Sequence, residues 1–173
     1  IGDILVEIDH VLRVVGSAGS IEQLQEEWQH FVENARSVEE FHAALPAFVD
    51  RVAAIPRLKD PLTCPRVVVA GDFFTRFSSF FMDGVRDLYA DRGIILKPVD
   101  GLAATAKQWG VEPGGFAMAK ACTRLFEPEG RRYLQQWAGH QMLQGVEEHY
   151  RGLFQKTGLL VAGPNAAATV FHK

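Results

Sequence analysis

Cysteine is scarce in this chain: Cys64 and Cys122 are the only two in 173 residues, and they form no CxxC pair. That excludes a disulfide framework and a self-sufficient tetrahedral metal site, so no metal is expected. It fits a reducing cytoplasm, with both thiols acting as small buried hydrophobes. Long apolar runs are also missing. None approaches the roughly 18 residues that span a bilayer, and no charged-then-apolar leader opens the chain, so no membrane association is expected. A basic excess is lacking too. The net charge is -3, and without a cationic face nucleic acid is not an expected partner. There is no GxGxxG, no GxxxxGK[ST] and no GxSxG, which removes the dinucleotide fingerprint, the P-loop and the nucleophile elbow. The chain opens on Ile1 rather than methionine, so it reads as one piece of a longer protein.

What is present is a balanced composition, 47% hydrophobic and 23% charged. This suits one compact domain, or one domain with a helical appendage. Residues 1–56 read as a helical segment. In "DILVEIDHVLRVV", Ile4, Leu5, Ile8, Val11, Leu12 and Val15 recur at helical spacing, and Gly16 ends the stripe. Ser20 reads as a start signal for the next helix, and Ser37 with Glu40 forms a capping box for a third. Pro46 falls inside that third pattern and predicts a kink or a restart. Residues 57–65, rich in proline, read as a linker.

Beyond it the pattern changes. "RVVVAG" is a short β-branched run of the type buried on both faces of a parallel sheet. A helical period follows from Phe73 to Gly93, then a second strand in "IILKPV". Strand, helix, strand makes a βαβ unit with parallel strands. Asp100 predicts a cap for a helix over 101–110. A long C-terminal helix is expected to bury Leu134, Trp137, Met142, Val146, Tyr150 and Leu153. The expected fold is therefore α/β. It is a Rossmann-like, flavodoxin-like three-layer unit over 66–173, with a small parallel sheet and a helical insertion, preceded by the helical segment.

The candidate ligand-binding residues are Gly71, Asp72 and Arg76. In open parallel sheets ligands bind beyond the carboxyl ends of the strands, and Gly71-Asp72 falls there. Gly71 allows close backbone approach, the next helix start offers amides to an anion, and Arg76 supplies charge. The alternative is structural: Asp72 caps the helix and Arg76 pairs with it on the surface. The phenylalanines Phe73, Phe74, Phe77, Phe80 and Phe81 read mostly as core, with one or two free to wall a ligand slot. Three Glu-x-x-His spacings, Glu7/His10, Glu27/His30 and Glu39/His42, put carboxylate and imidazole on one helical face, as in di-iron bundles. Exposed i,i+3 pairs explain them as well. No catalytic residue stands out.

The stretch from Ile55-Pro56 through Pro65, Val67 to Val69, Gly71-Asp72, Arg76 and Phe80 resembles the 2-hydroxyacyl-CoA dehydratase D-component superfamily. Within it, the resemblance is closest to proteins related to CoA-substrate-specific enzyme activases. "IGDILVEIDHVLRVV" resembles the helix that precedes this unit there. The resemblance implies a Rossmann-like module that helps frame an acyl-CoA or iron-sulfur site. It also implies a 4Fe-4S cluster in the full-length family, and other domains or subunits of the same system as partners. The chain departs from the family in lacking its cysteine-rich ligand segments. Neither Cys64 nor Cys122 carries over as a cluster ligand, no cofactor is expected within this chain, and the chain is expected to be inactive alone. Two other readings stay open: a non-catalytic structural or interaction module, and a free-standing nucleotide- or phosphate-binding α/β domain.

Overall fold

Helix α1, Gly2–Val15, forms where the apolar stripe predicts it. Asp3 in its first turn and Arg13 in its last complement the helix dipole. The helix is more enclosed than an amphipathic surface helix, because Glu7 and His10 are buried along with Ile4, Ile8, Val11, Leu12 and Val15. The computed structural model describes residues 1–69, 78–98, 142 and 145–161. The chain separates into two units, Ile1–Val99 with Arg151–Lys173, and Asp100–Tyr150.

In the first unit, Gly16 closes α1 with an ordinary φ of -71°. Its role is close approach: a Cβ there would lie 2.5 Å from the Leu12 carbonyl oxygen and 2.7 Å from the Ser20 Cβ. Helix α2, Ser20–Asn34, is capped by Gly19 rather than by Ser20. The Ser20 hydroxyl instead donates to the Pro56 carbonyl at 3.1 Å, joining the α2 start to the chain beyond α3. Helix α3, Val38–Ala53, starts at Ser37, whose side chain accepts from the Glu40 amide. The reciprocal arm of the box slips by one residue, since Glu40 Oε2 accepts from the Arg36 amide at 2.9 Å. Replacing Ser37 with Ala is expected to lower stability by about 1 kcal/mol. Urea denaturation measures this, and Ser37→Asp should restore most of it.

α3 runs through Pro46 without a restart. Pro46 sits on the exposed face of the helix, where losing one backbone hydrogen bond is least costly because the freed carbonyl can be hydrated. α2 and α3 bury an aromatic cluster. Phe31 stacks on Phe48 at 4.7 Å between centroids, Trp28 and Phe41 flank the pair, and Phe154 meets Phe48 edge-on at 6.1 Å.

Residues 57–65 are more ordered than a linker. A 3-10 turn at Pro61–Thr63 is capped by the Asp60 carboxylate, and Leu58 N–H donates to the Val15 carbonyl at 2.7 Å. Strand β1, Arg66–Val69, then pairs in parallel with β2, Ile95–Pro98, in the register Arg66 with Ile95 through Val69 with Pro98. Helix α4, Ser79–Ala90, connects them. It ends through a turn in which Gly93, at φ 69°, takes the left-handed conformation that a side chain would resist. Pro98, paired with Val69 in this register, has no N–H to donate to the ladder.

Burial differs between the strands. All four β2 residues are buried, whereas Val67 and Val68 are 39% and 37% exposed. The expectation of a strand buried on both faces, made for β1, therefore fails there, and the strand buried along its length is β2. The reason is one-sided cover: among the described elements α1 packs chiefly on β2. Beyond helical residues 151–154, a 3-10 turn at Gln155–Thr157 leads to Leu159 and Val161, both buried. Arg57 donates to the Thr157 carbonyl at 3.0 Å and holds that turn in place.

The described part of the second unit is residue 142 and residues 145–150, all helical. Met142 and Val146 are exposed there, so they do not lie on the buried side assigned to them from spacing. The helix expected over 101–110 lies outside the described residues.

Candidate functional site

The two strands run the same way, so their carboxyl ends share one edge of the sheet. Val69 is the last residue of β1, and the described chain resumes at Ser78, the N-cap of α4. The stretch 70–77 between them carries Gly71, Asp72 and Arg76, which lie outside the described residues, as do Phe73, Phe74 and Phe77. Phe80 is 87% exposed and Phe81 is exposed as well, so these two of the five phenylalanines lie outside the core. Helical spacing marks them as one group, but the packed side of α4 is set by α1 and β2.

At the same edge, one register position before Pro98, the structure assembles a buried ionic node that sequence reasoning missed. Lys97 Nζ donates to Glu7 Oε1 at 2.6 Å and to the Val161 carbonyl at 2.7 Å. Arg151 Nη1 donates to the other oxygen, Oε2, at 3.1 Å. Glu7 is 1% exposed and Lys97 3%. The node therefore ties α1, β2, residue 151 and residue 161 together in a dry environment, where a charge is tolerated only with close partners. Its one sequence signal is a lysine inside the apolar run "IILKPV". With two acceptors fixed on its ammonium, Lys97 tethers β2 to Glu7 and to Val161.

Three residues after Glu7 along α1, His10 takes a different partner. Its Nδ1 lies 2.9 Å from the Leu96 carbonyl of β2, and a carbonyl only accepts, so Nδ1 carries the proton. Nε2 is then a bare lone pair, and it is buried without a hydrogen-bond partner among the described residues. Burial holds the imidazole below the ordinary histidine pKa of 6.5. The Leu96 carbonyl and Asp9 act in the opposite sense, and the Arg86 and Arg13 cations reinforce burial.

The first two Glu-x-x-His spacings thus serve separate ends. Glu7 goes to Lys97 and Arg151, and His10 to Leu96. Glu27 pairs with Arg51 while His30 is exposed, and Glu39 and His42 are both exposed. No group of three or more His, Cys, Asp or Glu side chains is gathered for a metal ion among the described residues. Cys64 is a free, buried thiol, and Cys122 lies outside the described residues. No helix among the described residues is long and apolar enough to cross a membrane.

Comparison with protein-family models, with curated proteins and with solved structures found no match for this chain.

Proposed function

We propose that this chain is a domain of a 2-hydroxyacyl-CoA dehydratase, or of a protein related to CoA-substrate-specific enzyme activases. In this reading a Rossmann-like three-layer unit is built on β1, α4 and β2, and it helps frame an acyl-CoA site in a cytoplasmic enzyme system. The observation that supports it is the parallel pairing of β1 with β2 across α4. The motif-bearing stretch follows directly on the carboxyl end of β1, the edge at which parallel α/β sheets bind ligands. Gly71 would admit a ligand close to the backbone, Arg76 would meet a phosphate or a thioester oxygen, and Asp72 would orient Arg76.

The residues of this chain do not fit a 4Fe-4S cluster. Such a cluster takes four thiolates, the chain has two cysteines, and Cys64 is buried with its thiol 3.9 Å from the Asp60 carbonyl. Any cluster in this system would be held by other polypeptide.

One observation favours a second reading, that of an interaction module. Phe80, Phe81, Val85 and Leu88 of α4 are exposed large hydrophobics, and Val67 and Val68 of β1 are exposed too. Where exposed apolar side chains such as these join into one patch, they mark a contact with other protein.

Thermal-shift measurements under anaerobic, reducing conditions separate these readings. With CoA or acetyl-CoA at about 100 times its dissociation constant, stabilisation of roughly 2.7 kcal/mol is expected. Arg76→Ala should erase the shift and leave the ligand-free Tm within a degree or two of the parent. A response to ATP or ADP alone would favour the nucleotide-binding domain. No response to any of these would favour the interaction module.

A further inference from the structure

We propose that His10 is an acid-release latch: while neutral it joins α1 to β2, and once protonated it drives α1 away from β2 and α4. This rests on geometry apart from the acyl-CoA reading. His10 is 3% exposed, and among the described residues its ring makes one hydrogen bond, to the Leu96 carbonyl. The crevice beside it is lined by Arg13, Arg86, Ile94 and Leu96 and is too narrow to admit a water molecule. A second proton on the ring would create a buried Nε2–H donor with no acceptor among the described residues. Leaving such a donor unsatisfied is costly, and an imidazolium more so.

The charged groups around His10 oppose its protonation on balance. From α4 comes Arg86, whose Nε is itself buried without a partner and whose Nη1 lies 3.4 Å from Asp83. From α1 itself come Arg13 and Asp9. Arg13 is already paired with Asp9 at 2.9 Å and with Asp87 of α4 at 3.0 Å. From β2 the charged neighbour is Lys97, bound to Glu7 and Val161. The nearby carboxylates are thus already committed to these cations, so an imidazolium gains solvation only if the crevice opens.

The sign follows from linkage. A histidine whose folded-state pKa lies below 6.5 takes up a proton on unfolding. Its contribution to stability is complete above pH 6.5 and declines as the pH falls toward the folded-state value, by at most tenfold in the unfolding equilibrium constant per pH unit. The experiment compares urea unfolding of the wild-type chain and of His10→Asn between pH 8 and pH 5. Asparagine keeps an N–H at the Nδ1 position and does not titrate.

The wild-type constant should rise below pH 6.5 by up to tenfold per unit relative to the variant. Amide exchange at the lower pH should quicken in α1 and in Ile95 to Lys97 before it does in α2 and α3. Arg86→Gln, which removes one opposing cation, should reduce the wild-type slope. Equal slopes for wild type and His10→Asn, uniform quickening of exchange, or an unchanged slope in Arg86→Gln would each overturn the latch. If His10→Asn does not fold, the exchange pattern of the wild type and the slope of Arg86→Gln decide the matter.

Discussion

Replacing Glu7 with Ala is expected to destabilise the fold by about 3–5 kcal/mol. The substitution strands the Lys97 ammonium, 3% exposed, with only the Val161 carbonyl at 2.7 Å. It also takes from Arg151 a carboxylate oxygen at 3.1 Å. Arg151 keeps part of its side chain in solvent and can rehydrate, so most of the loss falls on Lys97. Glu7→Gln should cost less, because an amide oxygen still accepts from Lys97. The decisive comparison is Glu7→Gln combined with Lys97→Met. Removing both charges avoids the uncompensated ion, and the pair should recover most of the stability lost in Glu7→Ala. Urea denaturation at pH 7 measures all three. A loss below about 1 kcal/mol for Glu7→Ala would mean that the node opens readily to water and that Lys97 is never stranded.

Phe48→Ala is expected to cost about 3–5 kcal/mol by a different mechanism. Phe48 has no exposed surface and touches rings from three directions: Phe31 stacked at 4.7 Å, Trp28 at 5.7 Å and Phe154 edge-on at 6.1 Å. Truncation removes the apolar transfer energy and leaves a void that three rigid neighbours cannot collapse to fill. The contrast is Phe80→Ala. Phe80 is 87% exposed, and its truncation should change stability by no more than about 0.5 kcal/mol. Two equally destabilised variants would mean that Phe80 is buried in solution.

These two phenylalanines also show where sequence reading works and where it stops. Both recur at helical spacing, and spacing identified α1 and α3 because their apolar stripes are continuous and bounded by Gly16 and Ser37. Spacing does not say which side of a helix meets the core when aromatics lie on more than one side, as on α4. The parallel strand pair was legible from its β-branched run and the intervening helical period. The ionic node was not. Glu7, Lys97 and Arg151 are far apart in the chain, and a scan for local pairs joins Glu7 to His10 instead. Each of those two residues turns to a different part of β2 or its surroundings. The candidate site at Gly71, Asp72 and Arg76 rests on its place after β1 and awaits the ligand measurement.

The node has a topological consequence. Lys97 and Arg151 hold opposite oxygens of one carboxylate, so the chain departs from this body and rejoins it at nearly the same place. In polymer terms the node is a clasp on the loop of chain between residues 97 and 151. The entropic cost of closing a flexible loop grows only with the logarithm of its length. Two buried charge-assisted contacts on one carboxylate therefore offset a cost that would rise only slowly were the loop longer.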